Sequence, residues 1–415
     1  MRYVIIGNGA AGNAAAVAIR ARDPGGPVVI ITDELHPGYY RPLIPALIEG
    51  GPDKDILLDQ KLATPPGVEV RLGRRVVSLD ARSQTITLET GETLAYDRLL
   101  LALGSSAIRP AITGFEGPGA HVLRTLADAA GIQQEAPGAR AAVVIGAGRV
   151  GLKAAAALGS RGLEVTVVEQ AGHLLPMQFD EVAAEIVGRA LKTQGLNFIL
   201  GQKLKEVRRA DQKLKGVLLD DGRELSADLM VAAVGVKANV DLARQAGLAV
   251  NKGVLVDRWL KTSDPNIFAA GDVAETTDIV TGQPVVSGLW TNAVEMGRVA
   301  GENMAGAAIE YAGAFAVLNS LELAGVPTVA MGLTTPPAAE GYLIYQRRWG
   351  DNYRKMVLKD GLLVGALLVG DIEAAGVYAG LIKAKTKVEA LTHTLLHPRP
   401  TCASWLAASL AKGRR

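Results

Sequence analysis

Two glycine-rich segments are the residues of this sequence whose types and spacing most directly indicate chemistry. Gly7–Gly12 reads GNGAAG, and Gly146–Gly151 reads GAGRVG. Each follows a short apolar run and precedes an alanine-rich stretch, a context in which such a turn binds the pyrophosphate of a dinucleotide. The first glycine permits the tight turn, the second lets a phosphate approach the backbone, and the third lets the following helix pack closely. The N–H groups at the helix N-terminus then attract the anion. The predicted phosphate-binding residues are Gly7, Gly9, Ala10, Ala11 and Gly12 in the first turn and Gly146, Gly148, Arg149, Val150 and Gly151 in the second.

Acidic residues follow each glycine segment at the distance expected of a ribose ligand. After the first segment Asp33 and Glu34 are both candidates, and we expect Asp33 to be the ribose ligand and the other carboxylate to be solvated. Glu169 follows the second segment, where a carboxylate accepts from an unmodified 2′-hydroxyl and repels a 2′-phosphate, which favours NADH over NADPH. Arg149 is expected to contact a phosphate, with a 2′-phosphate as its less favoured partner. Two dinucleotides in one chain point to hydride transfer between a nicotinamide and a flavin.

Strand–turn–helix–strand patterns surround both glycine segments. Short apolar runs predict buried parallel strands, and alanine-rich stretches predict the helices between them. For the first unit the predicted elements are a strand at Tyr3–Ile6, a helix at Asn13–Arg20 and a strand at Val28–Ile31. For the second they are Ala141–Ile145, Leu152–Leu158 and Val165–Val168.

The remaining chain predicts hairpins, further strands and one more long helix. Val68–Val77 and Thr85–Leu88 alternate like hairpin strands, Ser105–Pro110 is typical of a linker, and Val207–Glu224 predicts a hairpin that turns at Asp220–Gly222. Further strands are predicted at Asp97–Leu103, Leu229–Val234 and Asn266–Ala270, a helix at Val294–Met304, and a short apolar helix at Ser404–Leu410 before a basic end.

These elements predict an α/β protein with two Rossmann-like dinucleotide-binding domains, each a three-layer ββα arrangement, and a C-terminal α+β domain. The expected boundaries are 1–108 with 236–310 for a discontinuous FAD domain, 109–235 for an NAD domain, and 311–415 for a C-terminal interface domain.

Composition excludes several other classes of protein. A net charge of +2 does not favour nucleic acid as a partner, and the single cysteine, Cys402, allows no intrachain disulfide and no thiolate cluster. We expect a cytoplasmic protein, because no signal peptide and no membrane-spanning run is visible. The histidines, among them His36, His173, His393 and His397, are too scattered to predict a metal site.

Further motifs resemble those of one family. Tyr39–Pro42, Leu101–Gly104, Val231–Asn239, Thr262–Asp272 (TSDPNIFAAGD) and Trp290–Gly301 are similar to segments of the FAD-dependent pyridine-nucleotide oxidoreductases of the glutathione-reductase structural class. Within that class the chain looks most like the NADH:rubredoxin or ferredoxin reductase and NADH oxidase-like group. The resemblance implies further FAD-binding positions at Arg41, Pro42, Val76, Ala102, Gly104, Gly271, Asp272, Trp290 and Thr291, and further NAD-binding positions at Lys153 and Gly235.

The chain departs from this family pattern in four respects. Tyr39–Leu47 lacks the cysteine of the disulfide reductases and of the peroxidase branch, and Ala10 stands where the peroxidase branch has a histidine. Lys153 replaces a common glutamate expected beside nicotinamide and flavin, and Ala46 stands near the place of a lysine. Disulfide and peroxide reduction by a thiol are therefore disfavoured, so electrons are expected to leave the flavin directly.

The predicted function is hydride transfer between NADH and FAD, with electrons passed to or received from a small iron–sulfur protein of the ferredoxin or rubredoxin type. One alternative is an NADH oxidase that reduces dioxygen. Another is a flavoprotein subunit of a larger redox complex, with residues 311–415 as its interface. A homodimer is a further alternative.

Overall fold

A computed structural model describes residues 1–52, 56–58, 64–338, 341–388 and 392–397. Backbone contacts divide the chain into two compact units. The first unit comprises Met1–Ile44, Gly51–Ala107 and Gly235–Ala316, and the second comprises Pro45–Gly50, Ile108–Val234 and Val317–Arg415. The three-domain boundaries expected from the sequence stay a prediction.

Strands and helices alternate along the described ranges and are numbered in chain order. The strands are β1 (Tyr3–Ile6), β2 (Val28–Ile31), β3 (Val68–Arg71), β4 (Val76–Asp80), β5 (Thr85–Leu88), β6 (Thr93–Ala95), β7 (Arg98–Leu101), β8 (Ser105–Ala107), β9 (Ala120–Val122), β10 (Ala141–Ile145), β11 (Glu164–Glu169), β12 (Asn197–Leu200), β13 (Leu204–Ala210), β14 (Lys213–Leu219), β15 (Glu224–Ser226), β16 (Leu229–Ala232), β17 (Val236–Ala238), β18 (Val254–Leu255), β19 (Ile267–Ala269), β20 (Ala274–Thr277), β21 (Pro284–Val286), β22 (Leu318–Leu323), β23 (Val326–Gly332), β24 (Tyr342–Trp349), β25 (Asn352–Lys359) and β26 (Leu362–Val369). The helices are α1 (Ala10–Arg22), α2 (Ile44–Ile48), α3 (Leu126–Glu135), α4 (Arg149–Ser160), α5 (Glu181–Thr193), α6 (Asp241–Gln245), α7 (Trp290–Met304), α8 (Ala375–Lys383) and α9 (Thr392–Leu395), with short 3-10 turns at Arg41–Leu43 and Ala136–Gly138.

The first unit is built around a parallel sheet in the order β19–β7–β1–β2–β3. All four residues of β1 are buried, as expected of a strand covered on both faces. Helices α1 and α7 pack very closely. A Cβ added to Gly297 would lie only 2.2 Å from the Ala11 carbonyl oxygen. The glycines and alanines of these helices therefore allow their backbones to touch, which fixes where the N-terminus of α1 lies.

Two sequence expectations about the first unit are wrong in part. Of the predicted hairpin strands, Thr85–Leu88 does pair antiparallel with β4, but Val68–Arg71 pairs in parallel with β2 and extends the main sheet. Of the predicted linker Ser105–Pro110, the residues Ser105–Ala107 form strand β8, which pairs antiparallel with β17. In both cases the partner strand is distant in the chain or parallel, so no local alternation reveals it.

The second unit contains a second parallel sheet, in the order β12–β11–β10–β16–β9. An antiparallel sheet, β13–β14–β15, follows β12 in the chain. The predicted turn at Asp220–Gly222 is present between β14 and β15, but the predicted single hairpin is incomplete, because the chain also turns at Asp211 and Gln212, whose φ angles are +49° and +64°. The turn at Asp211 and Gln212 contains no glycine, which explains why its signal is weak in the sequence.

The C-terminal part of the second unit is an antiparallel sheet in the order β22–β23–β26–β25–β24, with α8 packed on β26 and β23. The predicted fold class is therefore confirmed: two Rossmann-like domains and a C-terminal α+β domain. Cys402 and the predicted helix at Ser404–Leu410 lie outside the described residues. Across the described part of the chain, no helix has the length and hydropathy needed to cross a bilayer.

Candidate functional site

The first glycine turn has the geometry of a phosphate cradle. A Cβ added to Gly12 would lie 1.9 Å from the Gly7 carbonyl oxygen, and one added to Gly7 would lie 2.1 Å from the Ala102 carbonyl oxygen. A Cβ on Gly9, in contrast, would enter open space. Gly9 is the N-cap of α1 and has no side chain to cap it, so the first-turn N–H groups are available to an anion. The backbone thus leaves room for an anion only at the middle glycine.

After β2, the second acidic residue, Glu34, is not solvated as the sequence suggested. Asp33 is exposed, whereas Glu34 is half-buried and accepts a hydrogen bond from the Tyr39 hydroxyl at 2.6 Å. The Arg41 guanidinium also donates to Glu34 and forms an ion pair with it. Sequence reasoning treated Glu34 and Arg41 as separate ligands and missed that they form one network. The choice of Asp33 as the ribose ligand stays a prediction.

Arg41 lies near the hydroxyl of Tyr39 and two carboxylates, Glu34 close by in the chain and Asp272 far from it in sequence. Burial opposes the charge on Arg41, but Tyr39, Glu34 and Asp272 outweigh that effect and raise its pKa. Asp272 in turn accepts a hydrogen bond from the Ser105 hydroxyl at 2.9 Å. Ser105 was placed in a linker by the sequence and was not recognised as a contact of Asp272. Two candidate FAD ligands, Arg41 and Asp272, are therefore brought together by the fold.

The other candidate FAD positions lie on several elements of the first unit. Gly271, with φ +77°, allows only 3.1 Å between an added Cβ and the Ala11 side chain. The Tyr40 and Trp290 rings have centroids 5.2 Å apart, which places Tyr39–Pro42 beside the start of α7. Of the remaining candidates, Pro42 lies in a 3-10 turn, Val76 begins β4 half-buried, Ala102 and Gly104 follow β7, and Thr291 is exposed in the first turn of α7.

A buried amide network beside the first turn was missed entirely. The Asn13 side chain donates to the Asn8 carbonyl oxygen at 2.9 Å and to the Gly9 carbonyl oxygen at 3.0 Å. Its carboxamide oxygen accepts from Thr64 at 3.1 Å. Its signal in the sequence was a single asparagine within an alanine-rich helix. The contacts fix the peptide groups that precede α1.

The second glycine turn repeats this backbone geometry. A Cβ on Gly151 would lie 1.9 Å from the Gly146 carbonyl oxygen, and one on Gly146 would lie 2.6 Å from the Ala233 carbonyl oxygen. Again the middle glycine, Gly148, faces open space and is the N-cap of the following helix, α4.

Glu169 reaches into the second turn. Its side chain is 7% exposed, and its two carboxylate oxygens accept from the backbone N–H groups of Ala147 and Ala171, each at 2.8 Å. The Leu175 N–H donates to the Ala147 carbonyl oxygen at 3.0 Å, so both backbone groups of Ala147 are held by the end of β11 and the chain that follows it. Each carboxylate oxygen retains a further lone pair for a ribose hydroxyl. The sequence predicted the hydroxyl contact but not the two backbone contacts.

The two cations of α4 both contact the C-terminal sheet. Arg149 donates to the Asn319 carboxamide oxygen, and Lys153 donates to the Glu322 carbonyl oxygen at 2.7 Å. Val150 is 44% exposed, and Gly235, with φ +116°, begins the last segment of the first unit. Neither Asn319 nor Glu322 carried any signal in the sequence. The roles of all these positions in nucleotide binding stay predictions.

The residues fit two dinucleotides, because each parallel sheet ends in a glycine turn with an open middle position and an uncapped helix N-terminus. No cluster of three or more potential metal ligands occurs among the described residues. The fold and the two cradles define a protein that binds two dinucleotides.

Comparison with known proteins gives the family. The family model of the pyridine nucleotide-disulphide oxidoreductases matches residues 1–297, and that of the Rubredoxin NAD+ reductase C-terminal domain matches residues 318–386. The chain belongs to the pyridine nucleotide-disulphide oxidoreductase family, and its cofactors are FAD and NAD(H).

Similar proteins differ in their described roles. The epsilon subunit of NADH-dependent phenylglyoxylate dehydrogenase from Aromatoleum evansii is 32% identical over 94% of this chain and 93% of its own length. An NADH oxidase from Methanocaldococcus jannaschii is 32% identical over 89% of this chain and 88% of its own. A ferredoxin reductase structure from Rhodopseudomonas palustris has a TM-score of 0.87 and 27% identity, covering 98% of this chain and 99% of that one.

Proposed function

We propose that the chain takes hydride from NADH and passes the electrons to a small iron–sulfur protein of the ferredoxin or rubredoxin type, or accepts them in the reverse direction. The observation that carries this proposal is the single cysteine, Cys402, because one cysteine cannot form a redox disulfide within the chain. The C-terminal match to a Rubredoxin NAD+ reductase domain and the likeness to a ferredoxin reductase support the choice of acceptor.

The proposal assigns FAD to the first turn and NADH to the second. FAD would be held at the open side of Gly9, with Arg41 and Asp272, which influence each other electrostatically, as candidate polar ligands. NADH would be held at Gly148, with Glu169 accepting from the ribose. The flavin, when bound, supplies the hydride acceptor, and this chain supplies binding, orientation and charge. The predicted cytoplasmic location belongs to the same proposal.

The test is an anaerobic titration of the yellow holoprotein. NADH is expected to bleach the flavin absorbance in equimolar amount, and oxidised ferredoxin or rubredoxin is then expected to restore it, with turnover on the order of 10 per second. Air is expected to restore it far more slowly. A colourless protein, or a flavin that NADH does not bleach, would contradict the proposal.

A second candidate function is that of an NADH oxidase, favoured by the likeness to the Methanocaldococcus jannaschii enzyme. Reoxidation by air as fast as by either carrier protein would support it. A third is that of a subunit in a larger redox complex, favoured by the likeness to the epsilon subunit over nearly the whole of both chains. Light scattering of the purified chain, alone and with a carrier protein, tests this candidate together with the predicted homodimer.

A further inference from the structure

Strand β22 of the C-terminal sheet contacts two cations on one face of helix α4. Arg149 and Lys153 are four residues apart, so their side chains stand above one another on the helix surface. The Arg149 guanidinium donates to the Asn319 carboxamide oxygen, and the Lys153 ammonium donates to the Glu322 carbonyl oxygen at 2.7 Å. A strand outside the Rossmann domain therefore determines where the charges at the start of α4 lie.

Asn319 occupies a buried position in a paired strand, so the backbone that carries this acceptor is fixed in the sheet. Asn319 is 8% exposed and pairs with Ala330 of β23 in the sheet. The same sheet is anchored to the next helix, α5, whose N-cap Asp180 accepts from the Tyr353 hydroxyl at 2.7 Å and from the Lys355 ammonium at 3.0 Å. Both helices that follow strands β10 and β11 are thus fixed against the C-terminal sheet.

The chemistry of the acceptor matters as much as its position. Asn319 is neutral, so its contact orients the Arg149 guanidinium and adds no negative charge. A carboxylate at this position would add one. A free arginine loses much rotamer freedom when it binds a ligand, whereas one already held loses less. Arg149 is the first residue of α4 and follows the open glycine, Gly148, so its charge adds to that of the helix N-terminus.

We propose that Asn319 is a positioning residue for NADH binding: it holds the Arg149 guanidinium so that its charge favours the dinucleotide pyrophosphate. The inference rests on the proposed assignment of NADH to the second turn. NADH and NADPH share the pyrophosphate, so Asn319 affects both nucleotides alike. Glu169, in contrast, would discriminate between them at the 2′ position.

The experiment measures NADH and NADPH dissociation constants from the anaerobic rate of flavin bleaching at rising nucleotide concentration. Asn319→Leu is expected to weaken both nucleotides by the same factor, roughly three- to tenfold, with the limiting bleaching rate unchanged. Asn319→Asp keeps an acceptor for Arg149 but neutralises its charge, so it too should weaken both nucleotides while thermal stability is retained. Thr328→Val is the matched control, because it removes another hydrogen bond of this sheet, a partly buried one from the Thr328 hydroxyl to the Leu321 carbonyl oxygen at 3.1 Å, and should leave both constants unchanged.

A double-mutant cycle isolates the route through Arg149. In an Arg149→Leu background, Asn319→Leu should have no further effect. The inference is overturned if Asn319→Asp binds NADH like wild type, since the contact would then have only a structural role. It is also overturned if only NADPH binding changes. It is equally overturned if Asn319→Leu still acts without Arg149. Failure of the wild-type flavin to be bleached by NADH would instead remove the proposed function.

Discussion

The two glycine turns share a backbone and differ in what surrounds it. In both, a Cβ on the third glycine would lie 1.9 Å from the carbonyl oxygen of the first, and in both the middle glycine is open. The first N–H of each turn also donates to the end of the neighbouring strand at 2.8 Å, from Gly7 to Ile31 and from Gly146 to Val168. The same glycine spacing therefore gives the same backbone geometry in both turns.

The side chains around the two turns have different roles, because an amide holds the first turn and a carboxylate holds the second. At the first turn the acidic residue after the strand, Glu34, pairs with Arg41, and an amide, Asn13, holds the turn. At the second turn the acidic residue, Glu169, holds the turn itself, and a cation, Arg149, begins the helix. The comparison teaches that a common backbone provides anion binding, while the choice of nucleotide depends on neighbouring polar groups.

The largest expected effects come from the third glycines. Gly12→Ala should abolish FAD retention, and Gly151→Ala should leave a yellow protein that NADH does not bleach, because each new Cβ collides with a backbone carbonyl group. Each should also cost about 1–3 kcal/mol of folding stability. Absorbance spectra, NADH titration and thermal melts measure these effects.

Gly9→Ala and Gly148→Ala are the matched controls, since their Cβ atoms enter open space. They should fold normally and lose only nucleotide affinity. If Gly12→Ala kept its flavin while Gly151→Ala lost it, the two turns would have been assigned the wrong nucleotides.

The next effects concern the two acids. Glu169→Gln should raise the NADH dissociation constant about 10- to 100-fold, because a buried carboxylate that accepts two backbone N–H groups is replaced by a partly donating amide. It should also raise the affinity for NADPH relative to that for NADH. Flavin-bleaching kinetics with both nucleotides would measure this ratio.

Glu34→Gln is the counterpart in the first turn. It removes the charge partner of Arg41 and should speed FAD loss about tenfold, followed by the fluorescence of released flavin, while leaving NADH affinity unchanged. Equal loss of both cofactors in either variant would refute the separation of the two turns.

The smallest effect concerns the strands that lead into the turns. Tyr3 on β1 is 2% exposed and donates to Asp23 at 2.9 Å, whereas the matching position of β10 is Ala142. Burial, helped by the Asp23 hydrogen bond, raises the pKa of Tyr3 from 10 to about 12. Because the folded-state pKa is raised, the stability contributed by the neutral hydroxyl is present below pH 10 and is lost as the pH rises toward 12.

Tyr3→Phe should therefore be less stable than wild type by about 1 kcal/mol at neutral pH, and the difference should vanish in alkali. Thermal or denaturant unfolding across that range measures it. A difference that stays constant up to pH 12 would show that Tyr3 does not titrate as the structure indicates.

Much of the fold could be read from local pattern, and the exceptions have a common cause. The strands before and after each glycine turn were predicted within one or two residues, since buried parallel strands form continuous apolar runs. The helices after them were predicted too short: α1 begins at Ala10 and α4 at Arg149, because the glycine turn itself supplies the first helical residues. Strands β3 and β8 were misjudged because their partners are remote.

The candidate site divides in the same way. The positions of the glycines and of Glu169 were visible, because their spacing along the chain is the signal. The pairing of Arg41 with Glu34, and the approach of Asn319 to Arg149, were not visible. No short sequence pattern records contacts across 170 residues, as between Arg149 and Asn319.

The sequence by itself determined that two dinucleotide cradles exist and that one cysteine leaves no disulfide chemistry within the chain. Only the tertiary structure decided which side chains orient the charges beside each cradle. The physical reason is that a glycine turn is a local backbone property, set by residues within one helical turn. The direction of a long charged side chain depends on whichever distant strand supplies its hydrogen-bond acceptor.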